Sequence, residues 1–136
     1  MRRKNKDDQK MAFNLAGRLR SFKDAIRGVG TLLRYEHNAR IHLFVLVLVI
    51  IAGIFLRISG SDWMAILFVS ALVFVSECFN TAVEYLSDLL TDEYNENVRR
   101  AKDVAAAGVL ISAVIAVITG LIVFLPEIFR VVRNCT

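Results

Sequence analysis

The stretch VAAAGVLISAVIAVITGLIVFL, Val104–Leu125, runs for 22 residues without a charge and stops at Pro126, the only proline in the chain. As a helix rising about 1.5 Å per residue it covers about 33 Å, enough to cross a hydrocarbon core about 30 Å thick. Two further apolar runs lie upstream. Ile41–Leu56 has 16 uncharged residues and is closed by Arg57. It covers only about 24 Å, but Arg40 and Arg57 can snorkel at its two ends and extend its reach. The other run follows Gly60-Ser61-Asp62, opens with Trp63 as an interface residue, stays apolar to Ser76 and continues past Glu77. This pattern predicts an all-α integral membrane protein with transmembrane helices at 41–56, 63–85 and 104–125.

Composition agrees with that class. The chain has 136 residues, of which 56% are hydrophobic, and its mean hydropathy is +0.52. Such a chain is a single small membrane domain, too oily for a disordered tail or for a dispersed soluble domain of this size. Cys78 and Cys135 make no disulfide scaffold and have no metal-ligand spacing.

The charge is unevenly placed. Residues 1–40 carry 11 Lys/Arg and 4 Asp/Glu, a net of +7, while residues 41–136 carry 6 and 9, a net of −3. A basic head ahead of apolar spans places the N-terminus in the cytoplasm, with Leu89–Asp103 on the same side and the hairpin Arg57–Asp62 opposite. Arg130 and Arg133 on the far side are outvoted by the head. No aromatic interleaving marks the head as a nucleic-acid platform, so no nucleic-acid partner is expected. No apolar core of a signal peptide follows its first basic residues. After a basic tail at 1–14, Leu15, Leu19, Phe22, Ile26, Val29 and Leu33 form one apolar stripe at helical period. This predicts an amphipathic helix over 15–35, lying on the anionic leaflet.

The middle run departs from a generic span. Glu77, Asn80, Glu84 and Asp88 lie at i, i+3, i+7 and i+11. At about 100° per residue, Glu84 and Asp88 fall within about 20° of Glu77, and Asn80 about 60° away. An ionisable side chain deep in a bilayer costs roughly 2.5–3.5 kcal/mol even on insertion scales. The stripe therefore needs a metal ion, a cationic side chain or a proton as partner. Asp88 alone reads as a solvated helix end, but Glu77 sits fourteen residues into its span. Glu36, followed by Asn38 and Arg40, and the Lys102-Asp103 pair supply complementary groups on the same side, although Lys102-Asp103 alone also reads as an interfacial charge pair. Together they are the parts of a phosphoryl-transfer site: carboxylates for magnesium, a lysine for phosphate oxygens and a carboxylate to take a hydroxyl proton. No Walker-type loop is present; Gly28-Val29-Gly30 lacks its spacing and lysine. A rival reading makes the stripe an ion or proton path in a small non-enzymatic subunit, which predicts acids spread across the membrane, whereas these cluster at one end. A pure scaffold leaves the cost of Glu77 unexplained.

Glu77-Cys78-Phe79-Asn80-Thr81-Ala82-Val83-Glu84 followed by Asp88 resembles the signature E-x-x-N-[ST]-[AS]-[IV]-E-x-x-x-D of the prokaryotic diacylglycerol kinase family. Ala101-Lys102-Asp103 resembles its A-K-D segment, and Glu36-x-Asn38-x-Arg40-Ile41-His42 resembles the E-x-N-x-R-I-H motif of its Gram-positive, undecaprenol kinase-like branch. Ser21-Phe22-x-x-Ala25-x-x-Gly28 fits the family's interfacial helix, and the likeness covers about residues 20–127. The resemblance implies an ATP- and magnesium-dependent lipid kinase of the bacterial cell membrane, a homotrimer with active sites shared between subunits. By position, Glu77 is the general base on the lipid hydroxyl, with Asn80 orienting the site and Arg40 joining Glu77 at the lipid. Glu36 and Glu84 hold magnesium on the ATP phosphates. Lys102 binds those phosphates, and Asp103, Asp88, Glu93 and Tyr94 help hold the nucleotide. The lipid alcohol is undecaprenol, with diacylglycerol as the alternative of the same family. Asp24 stands where the family often has an aromatic that can contact adenine, which predicts a different packing of the nucleobase, and Ala39 where phenylalanine is common, which predicts looser packing at the first span. His37 and His42 read as structural or interfacial, Cys78 as a packed thiol, Ser112 and Thr119 as hydrogen-bonded to their own helix, and Gly108 and Gly120 as points of close helix contact.

Overall fold

A computed structural model describes residues 15–90 and 93–135 as four helices: α1 Leu15–Tyr35, α2 His37–Leu56, α3 Gly60–Leu90 and α4 Glu96–Cys135. The basic tail at 1–14 lies outside the described residues. Helices α2, α3 and α4 are each long and apolar enough to cross a membrane. Most of their large apolar side chains, among them Phe44, Phe55, Phe68, Phe79 and Ile122, face outward. A soluble protein could not leave so much apolar surface uncovered, whereas lipid tails solvate it without cost.

Helix α1 turns into α2 at a single residue. Glu36 is extended (φ −94°, ψ 118°), while its N–H still reaches the Leu32 carbonyl at 2.9 Å. Ala39, one turn into α2, is completely buried.

At the opposite end the α2–α3 hairpin is built from backbone and cap chemistry. Arg57 adopts the left-handed conformation (φ 53°, ψ 47°), and the Ile58 N–H returns to the Gly53 carbonyl at 3.2 Å, closing the last turn of α2. Ser59 and Asp62 then form a reciprocal cap: the Ser59 hydroxyl accepts from the Asp62 N–H, and the Asp62 carboxylate accepts from the Ser59 N–H, each at 3.2 Å. The fold of the chain carries Ile58 back into a cluster with Ile66 and Val123, flanked by Trp63 and Phe124. Gly53 is the close approach in this corner, since a Cβ there would lie 2.8 Å from the Trp63 ring. Gly108 and Gly120 are not such points: among the described residues nothing lies within 4 Å of a Cβ built at either.

Helix α3 packs chiefly on α4, and α2 crosses both more lightly. The 40 residues of α4 would extend about 60 Å, twice what a bilayer needs. Its first two turns, Glu96–Asp103, form a charged helical extension in which Arg99 pairs with Glu96 and Asp103, and Arg100 with Glu96. The helix also continues through Pro126 to Cys135, where the uncharged run alone had marked an end at Leu125. One missing N–H near a span terminus is tolerated when the flanking turns persist, and Arg130 pairs back to Glu127 at 2.6 Å across that segment.

Candidate active site

One face of α3 is buried along its length, and its chemistry changes midway. Ile66, Val69 and Val73 form its N-terminal part; Glu77, Asn80, Thr81 and Ser87 continue the same face as polar residues. Spacings of three and four keep all of them on one side of the helix. Glu77 is 1% exposed, the largest side chain so completely enclosed. Buried polar groups in proteins are nearly always hydrogen-bonded. Here Glu77 Oε1, Asn80 Oδ1 and Thr81 Oγ1 are buried without a hydrogen-bond partner among the described residues. Three acceptors left open within two turns mark a site arranged to receive something.

The surrounding acids converge on it. Glu36, brought in by the α1–α2 turn, and Glu84, two turns along α3, both lie close enough to Glu77 to act on it electrostatically. Glu36 is also beside the Tyr85 hydroxyl. The Asn80 amide donates to Glu84 Oε1 at 3.0 Å, and so serves Glu84 rather than Glu77. The group beside Glu77 is His42 of α2, whose Nε2 stands 3.2 Å from Oε1 without hydrogen-bond alignment. Reading the residues alone gave His42 only a structural or interfacial place. The motif around Glu36 contained it, but no pattern within one helix says which residue of another helix it meets.

The remaining candidates form two groups nearer water. Lys102 Nζ pairs with Asp88 Oδ1 at 3.2 Å, joining α4 to the C-terminal end of α3. Tyr94 donates to Glu96 at 2.6 Å, and Asp103 accepts from Arg99 at 3.3 Å. Glu96, Arg99 and Arg100, which sequence reasoning had not singled out, therefore organise the segment that carries Tyr94 and Asp103. Glu93 lies in the same connection, and Arg40 is exposed at the start of α2. Asp24 pairs with Arg27 on exposed α1 at 3.2 Å. Cys78 is exposed on the outer face of α3 and not packed. Ser112, in contrast, donates to the Val109 carbonyl of its own helix at 2.8 Å.

Among the described residues no three His, Cys, Asp or Glu side chains converge as a metal cage. Magnesium does not require one, because it is commonly held by one or two carboxylates together with substrate phosphates and water. Glu36 and Glu84, which both influence Glu77 electrostatically, carry hard oxygen donors of the kind magnesium takes.

An apolar groove of about 370 Å³ opens between α2, α3 and α4, lined by residues such as Val45, Val49, Val69, Val73 and Ala116. His42 is the ionisable residue on its wall, so the groove ends at the group that touches Glu77. An apolar groove with one ionisable side chain on its wall, itself beside a buried carboxylate, suits an amphiphile with one polar end.

Comparison with known proteins agrees. Residues 23–124 match the family described as Prokaryotic diacylglycerol kinase. The chain is 38% identical over 109 residues to the undecaprenol kinase of Bacillus subtilis (strain 168), covering 80% of this chain and 89% of that protein. It is also 38% identical over 109 residues to a diacylglycerol kinase of Synechocystis, covering 79% of this chain and 62% of that one. A shorter segment of 48 residues is 46% identical to the diacylglycerol kinase of Escherichia coli (strain K12), covering 35% of this chain and 39% of that protein. The membrane helices, the buried acid stripe and these likenesses place the chain in the prokaryotic diacylglycerol kinase family, as a lipid kinase that transfers phosphate to an alcohol.

Proposed function

We propose that the chain phosphorylates undecaprenol, using ATP and magnesium, at the inner end of α3. The observation that carries this reading is Glu77, 1% exposed with an oxygen left unpartnered, beside the His42 that lines an apolar groove. The groove suits the first isoprene units of a long polyisoprenol, whose hydroxyl then meets Glu77 while the remainder of the tail stays in the bilayer. The undecaprenol kinase likeness, which spans nearly the whole of that relative at 89%, supports this alcohol. Diacylglycerol is the second reading, supported by equal identity, 38%, to the Synechocystis protein.

In the reaction Glu77 accepts the hydroxyl proton as the O–H bond breaks. The freed oxygen forms a bond to the γ-phosphorus, and the β,γ-bridging bond breaks to release ADP. Such transfers depend mostly on positioning and charge stabilisation, not on covalent help from the protein. Asn80, donating to Glu84, fixes the carboxylate that faces the phosphates. Glu36 and Glu84 would hold magnesium, which when bound would neutralise phosphate charge. Lys102 exchanges Asp88 for phosphate oxygens, and Arg40 steadies the lipid near the mouth of the site. Asp103, Glu93 and Tyr94 help hold the nucleotide.

The working assembly is a homotrimer in the bacterial plasma membrane with the N-terminus cytoplasmic. Helix α1 lies on the leaflet with Leu15, Leu19, Phe22, Ile26 and Val29, all exposed in the isolated chain, set into it. Three spans enclose too little space for ATP and a lipid together, so neighbouring subunits complete each site. The test is phosphate transfer from labelled ATP to undecaprenol and to diacylglycerol, side by side in the same mixed micelles. A kcat/KM at least about tenfold higher for undecaprenol, equivalent to about 1.4 kcal/mol of transition-state preference, is expected. A preference for diacylglycerol transfers the assignment to the second reading.

A further inference from the structure

Asn80, the residue that the motif pairs with the base, is turned toward Glu84, which leaves the orientation of Glu77 to another group. A carboxylate that is 1% exposed cannot be oriented by bulk water. His42 is the side chain that reaches it, crossing from α2 to α3 to bring Nε2 within 3.2 Å of Oε1. The imidazole is itself mostly covered, with 24% of its side chain exposed, and its other surface forms part of the groove wall. The remaining charged neighbours of Glu77 are Glu36 and Glu84, which repel a carboxylate and cannot hold it while both are ionised.

We propose that His42 is a positioning residue for phosphoryl transfer: its Nε2–H holds one oxygen of Glu77 and so presents the other to the lipid hydroxyl. The 3.2 Å approach is already within the heavy-atom distance of a hydrogen bond. A donor on Nε2 is all that this role requires of the imidazole. The proposal rests on the kinase reading above. It adds that the α2–α3 contact, and not the α3 motif alone, sets the base.

The test uses the full-length protein in lipid-containing micelles, with wild type, His42→Ala, His42→Gln and His42→Leu assayed for kcat and for the KM of ATP. Glutamine can place an amide N–H near the position of Nε2, whereas leucine fills the space without a donor. The expected result is a fall in kcat of about tenfold or more for the alanine and leucine variants, with the KM of ATP changed less than about twofold and most of kcat restored by glutamine. In a Glu77→Asp background, where the carboxylate is drawn away from α2, removing His42 is expected to cost less than about a third of its wild-type effect in log units. If alanine does not fold, leucine against glutamine carries the same comparison. Alanine or leucine variants with wild-type kcat would overturn the proposal, as would glutamine and leucine being equally slow or an undiminished effect beside Glu77→Asp. A wild-type protein inactive on both alcohols would instead defeat the kinase reading itself.

Discussion

The outer and inner halves of α3 share one buried face but do opposite work. In the outer half, Ile66 joins Ile58 and Val123, with Trp63 closing over Gly53, and the hairpin is sealed by the Ser59–Asp62 cap. Apolar side chains there meet apolar neighbours, and the Ser59 and Asp62 polar groups satisfy each other. In the inner half, Glu77, Asn80 and Thr81 continue the same stripe with acceptors left open, and Glu36 and Glu84 act on Glu77 electrostatically. Folding alone does not favour that arrangement, since an open buried acceptor costs about 1–3 kcal/mol. The contrast separates what holds the chain together from what it does, and substitutions in the two halves should move different observables.

The largest effect belongs to Glu77. Glu77→Gln keeps the shape and removes the proton acceptor, so kcat should fall by about 10²–10⁴, equivalent to about 3–5 kcal/mol in the barrier, while the melting temperature holds or rises as repulsion with Glu36 and Glu84 is relieved. Ile58→Ala, in the outer cluster, should reverse the pattern, costing about 2–5 kcal/mol of stability in thermal or denaturant unfolding with little change in kcat. Gly53→Ala should cost less, about 1–3 kcal/mol, because the Trp63 ring must shift to clear a Cβ now 2.8 Å away. Lys102→Ala should raise the KM for ATP several-fold with a smaller loss of kcat, measured by titrating ATP at saturating lipid. Asp88→Asn breaks an exposed ion pair, and its effect on unfolding should stay below about 1 kcal/mol.

Much of this contrast was legible in the sequence. Hydropathy located three apolar runs, and helical arithmetic put Glu77, Asn80 and Glu84 on one face before any contact was known. The family motifs pointed to Glu36 and Lys102 as further members. What stayed hidden was how the helices meet. His42 belongs to the site because α2 crosses α3 at that level, and no pattern within one helix encodes a crossing. The same reason explains the glycines: Gly108 and Gly120 lie in the longest apolar run, yet Gly53 is where the backbone is approached closely, by a Trp63 that the hairpin folds back over it. Helix ends were also invisible to a count of uncharged residues. The charged turns Glu96–Asp103 and the segment beyond Pro126 remain helical because their side chains pair along the helix.

The most direct measurement takes one substitution from each half, Glu77→Gln and Ile58→Ala, and determines phosphate transfer to undecaprenol and melting temperature on the same preparations. The account predicts a crossed result: Glu77→Gln loses at least about 100-fold in kcat and keeps its melting temperature, whereas Ile58→Ala melts several degrees lower and, where folded, transfers phosphate within about threefold of wild type. A folded Glu77→Gln protein that transfers phosphate at close to the wild-type rate would contradict it.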